Sequence, residues 1–499
     1  MERKEATYKA LEMAGVSNPE IVLMSKFSPV PYAKRLGETT KFLYDKYKRF
    51  WRYDLLNGIW KEDADIFIKN RLRQEVFGEE LQKKNYTDEV VSYIRDMSYN
   101  PDKSVVLDEN IIAFNNCLYN LVDDKFIEFS AEYFVTSKLP INIDSTFSSD
   151  CSVIDSFFSD IVGEEYKTIL YELCAYCLYR SYPYQKLFFL IGGGKNGKST
   201  FLELLRTFLG NDNVSSVSPH DICGGNRFAL GNMWNKHANI SSDISYELLR
   251  DVNKIKEITG GDTVNIERKF KEGFPEKIFA KQIFSTNQLP MVNDKTGAWY
   301  RRPYLIYFPR SFENPDREIL KKLTTPLQLN GLAWQCIKYL KGIKERGFSF
   351  HFDIDEEKLG QTYEDLSNPL SKFIRENCIV DEGDQDAYIW KFEFREKFEQ
   401  WLKDNKFRTW SETELGIEMK KKFTDRQRPY RVFGGMDKMY RSWEGLKWGM
   451  KSIKQGLTGS HPFITTLYIH KSSRNTPVNL LIPVIDVNNS VNANFQEQI

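Results

Sequence analysis

The stretch from Lys186 to Phe201, KLFFLIGGGKNGKSTF, constrains the fold of this chain more than any other. An apolar strand-like run enters a glycine-rich loop, and a helical pattern, STFLELLRTFLG, leaves it and stops at Gly210. Gly192, Gly197, Lys198 and Ser199 fit the pattern G-x-x-x-x-G-K-[ST], enclosing Gly193, Gly194, Lys195 and Asn196 and followed by Thr200. Glycines let backbone N–H groups curl around a β-phosphate. Lys198 would reach the β- and γ-phosphates, and the Ser199 hydroxyl would ligate Mg²⁺. The helix that starts here turns its positive end toward the anion. A nucleotide phosphate chain and Mg²⁺ are therefore the expected ligands. Further strand-like runs, HANIS, KQIFST and PYLIYF, predict a mainly parallel α/β core around this loop.

A length of 499 residues predicts two to four domains. The 41% apolar and 14% aromatic content predicts well-packed globular domains. Net charge is +1, so any nucleic-acid binding must come from a local patch. No apolar run approaches the ~20 residues of a membrane helix. The start, MERKEATYKALEMAG, has no apolar core of a secretory signal, so a cytoplasmic protein is expected, in the host cytoplasm if viral or phage. Seven scattered cysteines read as free thiols. Cys174 and Cys177 share one face of an apolar helix, and core packing is expected of them.

Along the chain, TKFLYDKYKRFWRYD carries aromatic residues at helical spacing. Asn57-Gly58 predicts a tight turn, and Asn110 to Phe129 reads as strand, Asp-Asp turn, strand. Residues 150–180 form a helical run. The expected division is an N-terminal α+β domain over 1–148, a helical collar over 149–180, an ATPase domain over 181–345, a DNA-binding domain over 346–450, and an Asn-rich tail over 451–499.

A P-loop enzyme needs an acid at the tip of a neighbouring strand. Asp243 is the candidate, assisted by Glu247 or acting alone, since Ser242 stands where many such enzymes carry a second acid. Next, KEITGGDTVNIERKFKEG predicts a hairpin bearing Arg268, Lys269, Phe270 and Lys271, cations beside a ring that suit a phosphate and a base face. Asn287, ending an apolar strand, is placed to sense a γ-phosphate. Arg301 and Arg302 precede another strand, and either is a candidate finger onto a neighbouring subunit's nucleotide.

Phosphate loop, acid, basic hairpin, strand-tip Asn and Arg pair, in that order, resemble the superfamily 3 helicases, the compact AAA+ replicative helicases of viruses, phages and plasmids. The likeness is to the poxvirus and phage/plasmid helicase-primase branch, strong over 181–310 and weaker in IIAFNNCLYNLVDDKFIEF and YFVTSKLPINID. It implies a homo-hexameric ring on single-stranded DNA at a fork, with ATP at each subunit interface and Lys269 and Phe270 on a channel-lining hairpin. A replication polymerase or primase is an implied partner. Ser242-Asp243 departs from members with two adjacent acids, which leaves the general base open. Downstream, Ser411 and Glu414 fit a capping box, and MKKKFTDRQRPYRVF supplies Lys421, Arg428 and Arg431 to a winged-helix-like domain suited to DNA phosphates. Asp63-Ala64-Asp65 reads as a helix start, so priming activity is not expected. Two rival readings share the loop: a protein-remodelling ATPase, and an origin-binding initiator that uses ATP only to assemble.

Overall fold

The computed structural model describes residues 27–76, 84–144, 150–352, 356–381, 383–384, 386–405, 407–431 and 437–449. The expected tail lies outside these residues. Five strands form the central sheet: β1 (Leu187–Ile191), β2 (Val214–Ser215), β3 (Ala238–Ser241), β4 (Lys281–Thr286) and β5 (Pro303–Tyr307). Their order is β5-β1-β4-β3-β2, and every pair is parallel. All residues of β1 and β4 are buried, as expected of strands covered on both faces. One buried cation sits in β4. Lys281 donates to the carbonyls of Tyr179, Ser181 and Phe279 at 2.7, 2.8 and 2.8 Å, so it is satisfied there.

The expected helical run over 150–180 is two helices, Ser152–Val162 and Lys167–Leu178, separated at Gly163 with φ +99°. They share one hydrophobic core with the sheet and with the long helix Pro326–Glu345. Cys174 and Cys177 are fully buried in it.

The N-terminal region differs from its helical spacing. Phe42–Tyr44 and Phe50–Asp54 are antiparallel strands, joined after Asn57-Gly58 by a third, Ile59–Lys61. Asp45 explains the difference: its carboxylate accepts from the N–H groups of Tyr47 and Arg49 at 2.9 and 3.0 Å, which turns the chain where a helix would have continued. The flanking aromatic residues then suit a pleated surface. Residues 111–127 are likewise three strands, Ile111–Ala113, Leu118–Asn120 and Lys125–Ile127, with two turns where one was expected. A helix does start at Ala64; Asp63 pairs with Arg52 at 2.8 Å and Asp65 with Arg95 at 2.7 Å.

The C-terminal core begins later than the expected 346. Phe350, Leu359 and Tyr363 belong to the main core, while Leu370, Phe373, Phe394, Phe398 and Trp443 begin a separate one. Its elements run helix Pro369–Asn377, strands Cys378–Val380 and Tyr388–Trp390, helices Lys391–Asp404 and Glu412–Lys420, then strands Asp425–Arg431, Asp437–Glu444 and Leu446–Trp448, the last antiparallel to Cys378–Val380. Ser411 caps its helix by accepting from the Glu414 N–H at 3.2 Å. The Glu414 carboxylate turns to Arg408 instead, so only half of the expected box forms. Among the described residues, no helix is long and apolar enough to cross a membrane.

Candidate nucleotide site and nucleic-acid interface

Two glycines shape the loop after β1. Gly197 has φ +85°, and a Cβ there would lie 2.4 Å from Cγ2 of Ile161. At Gly192 a Cβ would lie 2.2 Å from Nδ2 of Asn196 and 2.6 Å from the Phe308 carbonyl. No larger residue fits either position. Gly193 and Gly194 face open space, leaving the outer side of the loop accessible. The Lys195 carbonyl accepts from the Phe312 N–H at 2.8 Å and ties the loop to the segment after β5.

Inside this cradle the Lys198 ammonium donates to the carbonyls of Gly192 and Gly193 at 2.5 and 3.1 Å, and to Oδ1 of Asn196 at 3.2 Å. Burial lowers the Lys198 pKa, and the Asp243 carboxylate pulls it back up. A half-desolvated cation under an open loop, at the start of the helix Lys198–Leu209, suits a phosphate chain. Ser199 is exposed and Thr200 half-buried in the first turn of that helix.

Two strand ends complete the group. Thr286 lies opposite Ile191, so Asn287 and Gly192 leave the sheet side by side. Asn287 is exposed there. Asp243 stands two residues beyond β3, exposed, with φ +50°. The next N–H, of Ile244, donates to the Ser285 carbonyl at 3.1 Å and pins that turn to β4. Loop, acid and Asn thus meet at the carboxyl end of a parallel sheet, the end where ligands bind in such sheets. Ser242 and Glu247 are exposed on the same turn.

The two arginines stand at the other end. Pro303 lies opposite Leu187, so Arg301 precedes the amino end of β5, about 16 Å of strand from its own loop. Arg301 is exposed. Arg302 is buried and committed within its own chain: Nε donates to Thr259 Oγ1 at 2.9 Å, Nη2 to the Lys256 carbonyl at 3.2 Å, and Nη1 to the Ala298 carbonyl. Burial lowers its pKa, with Arg301 adding to the effect. The finger candidate reduces to Arg301.

The expected hairpin is formed by Thr263–Ile266 and Phe274–Lys277. Its four candidate residues divide. Phe270 sits at the tip with φ +61° and is fully exposed, at 104% of the reference. Lys269 is exposed beside it, its ammonium 5.8 Å from the Phe228 ring. Arg268 and Lys271 are not free: Glu62 accepts from Arg268 at 2.7 and 3.1 Å and from Lys271 at 2.7 Å. Burial would raise the Glu62 pKa, but these bonds outweigh it and hold the carboxyl below its ordinary value. Lys48 adds a pair to Glu272 at 2.9 Å. Glu62 escaped the sequence reading because its partners lie 206 and 209 residues away.

The C-terminal cations are also less available than their spacing implied. Lys421 pairs with Glu418, and Arg428 with Glu444 at 2.6 Å. The side chain of Arg431 lies outside the described residues. The helix Glu412–Lys420 carries three glutamates, paired with Arg395, Arg408 and Lys421, and offers phosphates only Lys420 of its own.

Residues 40–163 match a family described as D5 N terminal like, and residues 190–302 match a family of unknown function, DUF5906. A curated relative from Acanthamoeba polyphaga mimivirus, named "Putative helicase L207/L206", is 26% identical over 264 residues, covering 48% of this chain. The chain spans about a quarter (26%) of that relative's length. Solved structures of the NrS-1 C terminal region align with 84% of this chain and 100% of theirs, at 12–14% identity and a TM-score of 0.42.

Proposed function

We propose that this chain is an ATP-driven DNA helicase of viral, phage or mobile-element replication, built on an AAA+ core of the superfamily 3 type. One observation carries the reading: β1, β4 and β3 bring the Lys198 loop, Asn287 and Asp243 to one sheet end, while the chain between β3 and β4 projects Lys269 and Phe270 outward. The same polypeptide segment thus joins a nucleotide site to an exposed cation–aromatic tip. The similarity to the D5 N terminal like family and to a viral protein named as a helicase supports the same reading.

In this mechanism Lys198 leaves its loop carbonyls for the β- and γ-phosphate oxygens. Mg²⁺, held by Ser199 and Asp243, supplies charge neutralisation at the phosphates when bound. Asn287 orients water against the γ-phosphorus, and Asp243, alone or assisted by Glu247, accepts its proton. The bond from the γ-phosphorus to the bridging oxygen breaks, leaving ADP and phosphate. Arg301 stabilises the transferring charge of a neighbouring subunit, since it cannot reach its own. In this reading the contact belongs to a closed ring, a homo-hexamer as in the family resembled. Lys269 and Phe270 grip the strand, Lys269 at a phosphate and Phe270 at a base or sugar. We read the C-terminal module, three helices with a three-stranded antiparallel sheet, as winged-helix-like.

The test is strand displacement on a forked DNA with ATP and Mg²⁺, wild type beside Lys198→Ala. Unwinding by the wild type alone is expected. Hydrolysis without unwinding by the wild type would refute the helicase assignment for this chain.

A further inference from the structure

The C-terminal module carries a feature that the basic run MKKKFTDRQRPYRVF did not foretell. Its three-stranded sheet has the order Tyr388–Trp390, Asp437–Glu444, Asp425–Arg431. Ile389 lies opposite Trp443, and both are buried in the module's core. Side chains alternate along a strand, so Tyr388, Trp390, Arg426, Arg428, Tyr430, Lys438 and Tyr440 fall on the opposite face. Ring distances agree: Trp390 is 5.2 Å from Tyr430, and Tyr430 is 5.4 Å from Tyr440. Phe392, just past the first strand, joins them at 5.9 and 5.8 Å from Tyr430 and Tyr440.

Trp390 is buried and Tyr430 half-buried, but the rim of the cluster is open. Phe392 and Tyr440 are 43% and 37% exposed. The charges around them are unbalanced. Two described carboxylates lie near Arg428, Glu444 and Asp386, against the three cations Arg426, Arg428 and Lys438, and Arg428 takes Glu444 at 2.6 and 3.1 Å. Arg426 and Lys438 are exposed, and neither has an ion pair among the described residues. The outer strand is an edge, and Pro429 together with its arginines blunts it against pairing with another strand. The aromatic face, not the edge, is what the module offers.

We propose that this face is a second nucleic-acid site, one that takes unpaired bases of single-stranded DNA on Phe392, Tyr430 and Tyr440 and their phosphates on Arg426 and Lys438. Stacked bases need ring faces and are indifferent to sequence. The rings meet edge to face, leaving room for stacked bases on the exposed ones, and the polyanion explains the two cations without a described ion pair; an uncharged peptide would explain only the rings. The helix Glu412–Lys420 has its glutamates paired and a single cation, Lys420, so the sheet face is the richer in cations for DNA. The proposal rests on a nucleic-acid role for this chain but not on unwinding.

The experiment is anisotropy binding of labelled oligo(dT) to the full chain without nucleotide, with Lys198→Ala run beside wild type. Tyr440→Ala and Phe392→Ser are each expected to weaken binding roughly 5- to 150-fold, the range for removing one base stack. Tyr440→Phe keeps the ring and should bind within about twofold of wild type by the same stacking argument. Arg426→Gln with Lys438→Gln should flatten the salt dependence by about 1.4 in slope, about 0.7 for each cation taken away from a phosphate. Lys198→Ala should bind as wild type, so a failure of the helicase reading leaves this result standing. An iodouracil-substituted oligonucleotide should crosslink to Phe392, Tyr430 or Tyr440. Unchanged affinity in Phe392→Ser, with crosslinks confined to the 263–277 hairpin, would overturn the proposal. So would loss of self-association in that variant with oligo(dT) binding intact, which would assign the face to a protein partner.

Discussion

Glu62 grips Arg268 through both carboxylate oxygens, at 2.7 and 3.1 Å, and holds Lys271 with the same group. The N-terminal three-stranded sheet is thereby fastened to the loop of the hairpin on both sides of its tip, Lys269 and Phe270. Arg268 also lies over the rings of Trp234 and Phe274, at 4.8 and 5.1 Å, which fixes its guanidinium plane. Two of the hairpin's cations are therefore anchors, and the tip is what remains to touch a ligand.

Replacing Glu62 by Gln leaves the half-buried Arg268 and the exposed Lys271 without their counter-charge. A cost of about 1–3 kcal/mol in stability is expected. ATP hydrolysis without DNA should stay within about twofold, while its stimulation by single-stranded DNA falls several-fold as the tip loses its support. Calorimetry beside ATPase assays with and without oligo(dT) checks both. Equal stimulation in the two proteins would show that the anchor does not serve the tip.

Gly197→Ala tests the loop. The new Cβ would meet Ile161 in a backbone conformation that alanine resists. Loss of nucleotide binding by at least tenfold is expected, with destabilisation of about 1–3 kcal/mol. Equilibrium dialysis with a fluorescent ATP analogue reads the first, thermal unfolding the second.

The arginine pair should separate cleanly. Arg302→Ala strips a buried donor from Thr259 and Lys256, and a loss of about 2–4 kcal/mol in stability is expected. Arg301→Ala should fold normally and bind ATP, yet hydrolyse it about 10³-fold more slowly. Mixing Arg301→Ala with Lys198→Ala subunits should restore part of the rate, because some interfaces then join an intact loop to an intact arginine. No restoration would place Arg301 outside the neighbouring site.

Acid stability offers a fourth check. A hydrogen bond from Lys256, with others from Thr296, holds the Asp294 carboxyl down from 3.8 to about 2. A depressed carboxyl pKa stabilises the fold above its unfolded value and loses that effect as pH falls through the folded value. Asp294→Asn should therefore be less stable than wild type at neutral pH, and the gap should close between about pH 4 and pH 2. Urea unfolding across that range measures it.

The chain's local chemistry settled a good deal in advance. Consecutive apolar residues in LFFLI, the glycines and Lys198 after them, and the runs that became β3, β4 and β5 all read through short-range pattern, because double-sided burial and φ > 0 leave marks within a few residues. So did the Ser411 cap. Where one polar side chain redirected the backbone, periodicity misled: Asp45 turned an apparent helix into a strand pair. What tertiary structure alone decided is which charges are spent. Arg268, Arg302 and Arg428 looked like Lys269, Arg301 and Arg426 in sequence, yet the first three are held by Glu62, Thr259 and Glu444. A cation's availability depends on partners that folding brings from up to 206 residues away, and no local window contains them. The aromatic sheet face has the same origin. Phe392, Tyr430 and Tyr440 meet through strand register, a relation between segments and a property of none of them singly.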